Sequence, residues 1–323
     1  MFRKVKFKTL IIVFIVLLVI VVIVEIVDYR KGDRTFRSDL VNIDTSKVSS
    51  VFLYPKAENY NEIKIFRSHG GWKIENMGKT FNADENVVYN MLDELIRLKP
   101  ERVAATDKSK WEDFEVTDST GVRIKVVEKN SIVADIIIGK FSYQQPQNPY
   151  QQRQGKMTSY VRLVNETKVY AVDGFLNMIF NRDVNTFRNK NLIESNKNNW
   201  TKLTFSYPAD SSFVLIRQND KWMSSGLLAD SAQTDSYLYS IARLNSSDFV
   251  DETNSIILIN ELFSLMIEGN NLPAPIEIKA FSADTLNKYI ITSSENSGSN
   301  FSGAKRDLFN KIFVPQSHFF PEN

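Results

Sequence analysis

Hydrophobic residues form one unbroken run near the start of the chain and alternate with polar residues over much of the rest. The run is TLIIVFIVLLVIVVIVEIV, residues 9–27, and its one charged residue is Glu25. A helix of this length is roughly 28 Å long, about one hydrocarbon thickness of a membrane. The run therefore predicts a single transmembrane helix. We interpret it as an uncleaved signal anchor, because no A-x-A cleavage pattern follows it.

The segments on either side of this run predict its orientation. Positive charge stays on the cytoplasmic side of a membrane, and residues 1–8 carry four basic side chains: Arg3, Lys4, Lys6 and Lys8. We therefore expect a cytoplasmic basic tail at 1–8, an inner-membrane span at 9–27 and a membrane-proximal tether at 28–46, with the rest periplasmic. Glu25 is a candidate contact to another membrane helix. The alternative is that it lies at the interface and reaches water.

Beyond the tether, short alternating runs predict strands. SVFLYP and EIKIFRS are rich in β-forming residues, and HGG separates the second from WKIENMG. We predict a hairpin there, with its turn at 68–71 and His69 at the tip. NADENVVYNMLDELIRLKP has apolar residues at helical spacing, which predicts an amphipathic helix over 83–98 capped by Asn82. Further hairpins are predicted in GVRIKVVEKNSIVADIIIGKF and SYVRLVNETKVYAVDG, and a helix in FLNMIFNRDVNTF.

The pattern then starts again. LTFSYPADSSFVLIRQNDKWMS repeats the first stretch, so that Trp222 matches Trp72, and a second helical stripe follows. We predict an α+β fold, with a single N-terminal transmembrane helix followed by two tandem, related units of antiparallel sheet plus helix, 47–192 and 193–323. Since the tryptophans recur while His69 does not, we expect both tryptophans to be core anchors.

The later parts of the two units can also be aligned. We match the GVRIKVV hairpin to PIEIKAFSADTLNKYIITSS, the first unit's glutamine-rich loop to ENSGSNFSG, and FLNMIF to LFNKIF. On this alignment the second unit omits a strand pair equivalent to SYVRLVNETKVYAV.

Composition excludes several kinds of chemistry. The net charge of +2 includes the four basic residues of the tail, so no basic surface for nucleic acid is indicated. Cysteine is absent and histidine occurs twice, at His69 and His318, which argues against a histidine- or cysteine-rich metal site. No nucleotide-binding or hydrolase motif occurs, and we predict no cofactor and no metal. Carboxylates in KWEDFEVTDS could serve a hydrolase, but between lysines they are typical of a solvated face.

The glutamine-rich segment from 141 to 159 is the candidate for partner binding. It has no acidic residue, and its amides and tyrosines suit wet protein or glycan contacts. The alternative is a flexible insert. The candidate residues are Tyr143, Gln144, Gln145, Tyr150, Gln151, Gln152 and Arg153.

Five phrases resemble one family. DLVNIDTSKVSSVFLYPK, GWKIENMGKTFNADENVV, LKPERVAATDKSKW, VTDSTGVRIKVV and TSYVRLVNETKVYAVDGFL are similar to the domain of unknown function 4340 family, from about residue 39 to 192. These are framework phrases and carry no catalytic residue. The resemblance implies a bacterial membrane-anchored protein that is a partner of an ABC transporter of the gliding-motility type.

Together these observations favour a non-enzymatic, extracytoplasmic accessory protein associated with such a transporter. Its expected partners are the inner membrane and other membrane or transport proteins, with no nucleic acid. The alternative is a module that binds cell-envelope glycan or peptidoglycan, and a carboxylate-based hydrolase is third. The sequence leaves the oligomeric state open.

Overall fold

The fold is mostly antiparallel sheet. The computed structural model describes residues 14–19, 38–145, 155–251, 260–283, 286 and 288–321. Strands make up 43% of it and helices 22%, so the predicted α+β class was wrong. The physical reason is that sustained helical spacing is confined to short segments, and the longest labelled helix has 12 residues. Alternating runs fill most of the rest.

The predicted N-terminal transmembrane helix was also not found. None of the helices in the described ranges is long and apolar enough to cross a membrane. Of the run at 9–27, only 14–19 are described, and they are helical. Glu25 and the predicted tail lie outside the described residues.

The strands and helices are numbered in chain order. The strands are β1 (Val48–Tyr54), β2 (Ile63–Ser68), β3 (Gly71–Asn76), β4 (Lys79–Asn82), β5 (Pro100–Ala105), β6 (Val122–Glu128), β7 (Ser131–Gln144), β8 (Lys156–Leu163), β9 (Val169–Asp173), β10 (Asn191–Glu194), β11 (Trp200–Ser206), β12 (Phe213–Gln218), β13 (Lys221–Ser224), β14 (Leu227–Leu228), β15 (Arg243–Asn245), β16 (Glu261–Gly269), β17 (Ile276–Ser282), β18 (Tyr289–Ser293) and β19 (Phe301–Ser302). The helices are α1 (Glu85–Ile96), α2 (Asn177–Phe180), α3 (Val184–Phe187), α4 (Ser231–Ile241) and α5 (Leu308–Ile312).

Two large sheets share one strand order. The first runs β4-β3-β2-β1-β6-β7-β8-β9-β5 and the second β14-β13-β12-β11-β16-β17-β18-β19. Thus β1 to β4 correspond to β11 to β14, and β6 to β9 correspond to β16 to β19. The difference is at one edge, because β5 closes the first sheet, whereas β15 pairs with β10 in a separate two-stranded sheet. The predicted unit boundary after residue 192 falls inside β10.

This order corrects the predicted alignment of the later strands. PIEIKAF and YIITS form β17 and β18, the counterparts of β7 and β8 rather than of β6 and β7. The counterpart of β6 is β16, ELFSLMIEG, which the sequence analysis missed because its apolar residues are too continuous to distinguish a strand. No strand pair is missing, but β19 has only two residues.

Each large sheet has its own hydrophobic core against its long helix. In the first, α1 buries Val88, Met91, Leu92 and Leu95 against the sheet. The cap of α1 is Asp84, which accepts hydrogen bonds from the next turn, rather than the predicted Asn82. In the second, α4 buries Tyr237, Leu238 and Ile241, and aromatic rings around Phe205 fill the space below it. The predicted hairpin at 68–71 is confirmed, with His69 exposed at its tip.

The two halves meet around one buried arginine. Arg188 is fully buried, and its guanidinium carbon lies 3.7 Å from the ring centroids of both Phe81 and Phe249. It donates a hydrogen bond to Asp251. Nearby, the buried Asn296 amide donates to two backbone carbonyls of the connecting segment, at 2.8 and 3.1 Å. A desolvated, polar junction of this kind depends on every partner being in place.

Candidate functional site

A hairpin that extends past its neighbouring strands is the main candidate surface. β7 is 14 residues long, and β6 pairs with it only as far as Ile138. β9 pairs with β8 only from Thr158 onwards. The pairs Tyr143–Met157 and Gln144–Lys156 therefore lie beyond both neighbours. We call residues 141–145 and 155–159 the hairpin arm.

An irregularity in the pairing separates the hairpin arm from the body of the sheet. The register between β7 and β8 shifts between Ile138 and Phe141. An extra residue at such a point bends the strand and increases its twist, which re-aims the side chains that follow. The segment predicted as a loop is thus strand at both ends, because Phe141, Tyr143 and Met157 alternate with polar residues.

Large apolar side chains are exposed on one face of the hairpin arm. Phe141, Tyr143 and Met157 are 44%, 50% and 40% exposed. They share a face because Tyr143 is directly opposite Met157 and two residues from Phe141. The Phe141 ring lies 4.1 Å from that of Phe175, which fixes the base of this face. A contiguous exposed apolar face of this kind is typical of an interaction site.

A glycine holds Tyr143 in place. A β-carbon built on Gly155 would overlap the Tyr143 ring, so the ring packs directly over the glycine backbone. At the other side of the hairpin arm, Lys156 pairs with Glu101 at 2.7 Å. Tyr143 of the hairpin arm therefore has a defined position beside the exposed amides of Gln144 and Gln145.

The predicted site residues divide into two groups. Gln144 and Gln145 lie on the hairpin arm with Tyr143, and both are exposed. The others lie outside the described residues: Tyr150, Gln151, Gln152, Arg153 and Glu25. The structure therefore brings three of the predicted residues together and leaves the remaining ones as predictions.

Three carboxylates of the acidic segment at 112–118 are paired with basic side chains. Asp113 pairs with Lys110 at 3.0 Å, and Glu115 with Lys56 at 3.1 Å. Asp118 accepts from the buried Arg162 at 2.9 Å; that guanidinium also stacks 3.8 Å from the centroid of the Trp111 ring. These contacts hold the segment on the outer face of the first sheet. Within the described ranges, no group of three or more acidic or histidine side chains could hold a metal ion.

The second half contains a cavity that no sequence pattern had predicted. It has a volume of about 370 Å³ and lies between Trp222 of β13 and the first turn of α4. Trp222 is half-buried, whereas Trp72 is 3% exposed, so only Trp72 is the fully buried core anchor that was predicted for both. A signal was present in the sequence: the repeat places small and polar side chains on α4 where α1 has large ones.

The comparisons with known proteins identify a family and nothing finer. No curated protein and no solved structure matches the chain. A family profile described as "Domain of unknown function (DUF4340)" matches residues 72–256, which include the hairpin arm and the cavity. This match confirms the resemblance seen in the framework phrases. Because it covers more than half of the chain, the protein belongs to the DUF4340 family.

Proposed function

We propose that the protein is a non-enzymatic accessory protein that binds another protein through its hairpin arm. The proposed partner is the extracytoplasmic part of an ABC transporter of the gliding-motility type, which places the protein on the outer side of the cytoplasmic membrane. The observation that carries the proposal is the exposed face formed by Phe141, Tyr143 and Met157. The choice of partner rests on the family resemblance alone.

The composition of the hairpin arm supports protein contact. Aromatic residues and methionine are enriched in protein interfaces, and tyrosine is common among the residues that contribute most to binding. Tyr143 offers a rigid ring with a polar end, and Gln144 and Gln145 can form the wet hydrogen bonds of an interface rim.

The backbone of the hairpin arm offers a second kind of contact. Since the pairing with β6 ends at Ile138, the outer edge of β7 from 141 to 144 continues past its neighbour. Such an edge can pair with an extended segment of a partner, with side-chain pockets adding specificity. An exposed edge that is flanked by apolar side chains would otherwise favour aggregation. A partner that covers it removes this liability.

Co-purification of transporter subunits tests the proposal. The comparison is between the tagged full-length protein and a Tyr143→Ser, Met157→Ser variant. We expect recovery of the subunits to fall at least about tenfold, as truncating interface anchors does. Ile132→Ser is the matched control, because Ile132 is 60% exposed at the opposite end of the same strand. Equal recovery with both variants would contradict the proposal.

A further inference from the structure

The two halves use the same local framework to hold a tryptophan beneath a helix N-terminus. Arg67 is directly opposite Trp72 in the β2–β3 pair, as Arg217 is opposite Trp222 in the β12–β13 pair. Asp84 caps α1 and Asp230 caps α4. The residue before each cap donates its backbone N–H to the tryptophan carbonyl, at 3.0 and 2.9 Å. The first turns of α1 and α4 are therefore equivalent, position by position.

In the first half, side chains fill the space beside Trp72. The Arg67 guanidinium lies 4.7 Å from the Trp72 ring, and Tyr89 meets the ring edge-on at 6.4 Å. The Glu85 side chain extends over Gly71, and its carboxylate occupies the place that a β-carbon on Gly71 would take.

In the second half the same positions leave the cavity open. Ser231, Thr234 and Asp235 replace Glu85, Val88 and Tyr89 at a constant offset of 146 residues. The large side chains of Glu85 and Tyr89 thus give way to smaller ones, and Val88 gives way to a polar side chain of the same shape. The arginine also differs, because Arg217 donates to the Asp220 carboxylate at 2.9 Å, whereas Arg67 donates to the backbone carbonyls of Val48 and Thr45.

The lining combines one aromatic ring with dense, mixed hydrogen-bonding groups. Trp222, Leu228 and Leu238 supply apolar surface, and Asn198, Asp220 and Asp235 supply acceptors. Two of the basic groups already have carboxylate partners, since Lys197 pairs with Asp235 and Arg217 with Asp220. A compact anion such as phosphate would meet those carboxylates, whereas a ligand with several hydroxyl groups can both donate and accept here.

Thr234 points independently to a ligand. It lines the cavity, it is 1% exposed, and its hydroxyl oxygen has no hydrogen-bond partner in the described part of the chain. The equivalent Val88 has the same shape and lacks the hydroxyl. A buried hydroxyl without a partner costs free energy relative to a methyl group. Less than 1 Å² of this oxygen is accessible, so a polar ligand in the cavity would provide that partner once the Thr234 side chain turns toward it.

We propose that this cavity binds a single pyranose ring, free or at the end of a glycan. The apolar face of the sugar would stack on Trp222, and its hydroxyls would bond with Asn198, Asp235 and Thr234. The volume of about 370 Å³ is within the range of small-ligand sites. The site is separate from the hairpin arm, so the sugar-binding proposal does not depend on the proposed protein partner.

Calorimetric titration of the full-length protein with N-acetylglucosamine and with glucose tests the proposal. We expect saturable binding of at least one sugar. A variant with Ser231→Glu, Thr234→Val and Asp235→Tyr copies the side chains of the first half and should weaken binding at least about tenfold, a 1.4 kcal/mol change. Tyr239→Ser is the control, because Tyr239 is 76% exposed on the same helix and should not alter binding.

A single substitution keeps the test decisive if the triple variant does not fold. Thr234→Val is nearly isosteric, so we expect an unchanged or higher melting temperature together with a severalfold loss of sugar affinity. Absence of saturable binding of both sugars to the wild type would overturn the proposal. Unchanged sugar affinity in a folded triple variant, or in Thr234→Val, would overturn it as well.

Discussion

Replacing Arg188 with methionine removes the charge at the junction of the two halves while keeping most of the aliphatic stem. The guanidinium has a 3.0 Å hydrogen bond to Asn185 and a 3.2 Å bond to Ser299, besides its pairing with Asp251. It is also sandwiched between the rings of Phe81 and Phe249. All of these contacts are lost in Arg188→Met.

The expected loss can be bounded. Breaking a buried ion pair costs about 3–5 kcal/mol when the remaining charge stays buried. The Asp251 side chain is 32% exposed and can regain water, which reduces this cost. Burial itself lowers the pKa of Arg188, so the charge is partly destabilised by its surroundings, which also reduces the loss. We expect the free energy of unfolding to fall by about 2–4 kcal/mol, with the lost ring contacts included.

Urea unfolding followed by tryptophan fluorescence measures this loss. Arg123→Met is the matched control, because Arg123 makes a two-bond contact with Asp135 but is 39% exposed on the sheet surface. Exposed pairs contribute about 0–1 kcal/mol. Because Arg188 links the halves, its loss should also separate their unfolding transitions. A single transition and a loss no larger than that of Arg123→Met would show that Arg188 does not stabilise the junction.

Two further predictions follow from particular contacts. Desolvation of the Glu295 carboxylate raises its pKa above the unfolded-state value, but the residue remains exposed, so the ionised form costs only a little stability, which is regained as the pH falls through the folded-state pKa; Glu295→Gln should raise the melting temperature slightly at pH 7 and less at pH 4, and an equal gain at both would contradict this. Gly155→Ala should displace Tyr143 and lower recovery of the transporter subunits with little change in melting temperature, since Tyr143 and its neighbours Gln144 and Gln145 are exposed; wild-type recovery would be the contrary result.

The sequence predicted those elements whose signals are local. The 68–71 hairpin follows from a glycine pair between alternating runs, and the helix found at Glu85–Ile96 follows from apolar spacing. The helix cap was predicted two residues too early. Asn82 and Asp84 can both cap a helix, but Asn82 is paired in β4 and Asp84 forms the cap. β16 was missed since its apolar run has no clear period, and β19 is too short to have one.

The candidate surfaces depended on information beyond local pattern. Tyr143 and Gln144 were found from composition, but their place in a strand depends on a register with Met157 and Lys156 across the hairpin. The Trp222 cavity depends on the differences between two copies of one framework. Recurrence of the tryptophan suggested a second core anchor. The surroundings of the ring, however, are set by side chains distant in sequence, so recurrence alone did not predict the cavity.

Photocrosslinking in native membranes tests whether the hairpin arm contacts the transporter. A photoreactive amino acid replaces Tyr143 in one version of the full-length protein and Ile132 in another. We expect the Tyr143 position to yield a covalent adduct with an ABC transporter subunit and the Ile132 position to yield much less of it. Adducts of equal yield from both positions, or none with the transporter from Tyr143, would contradict this expectation.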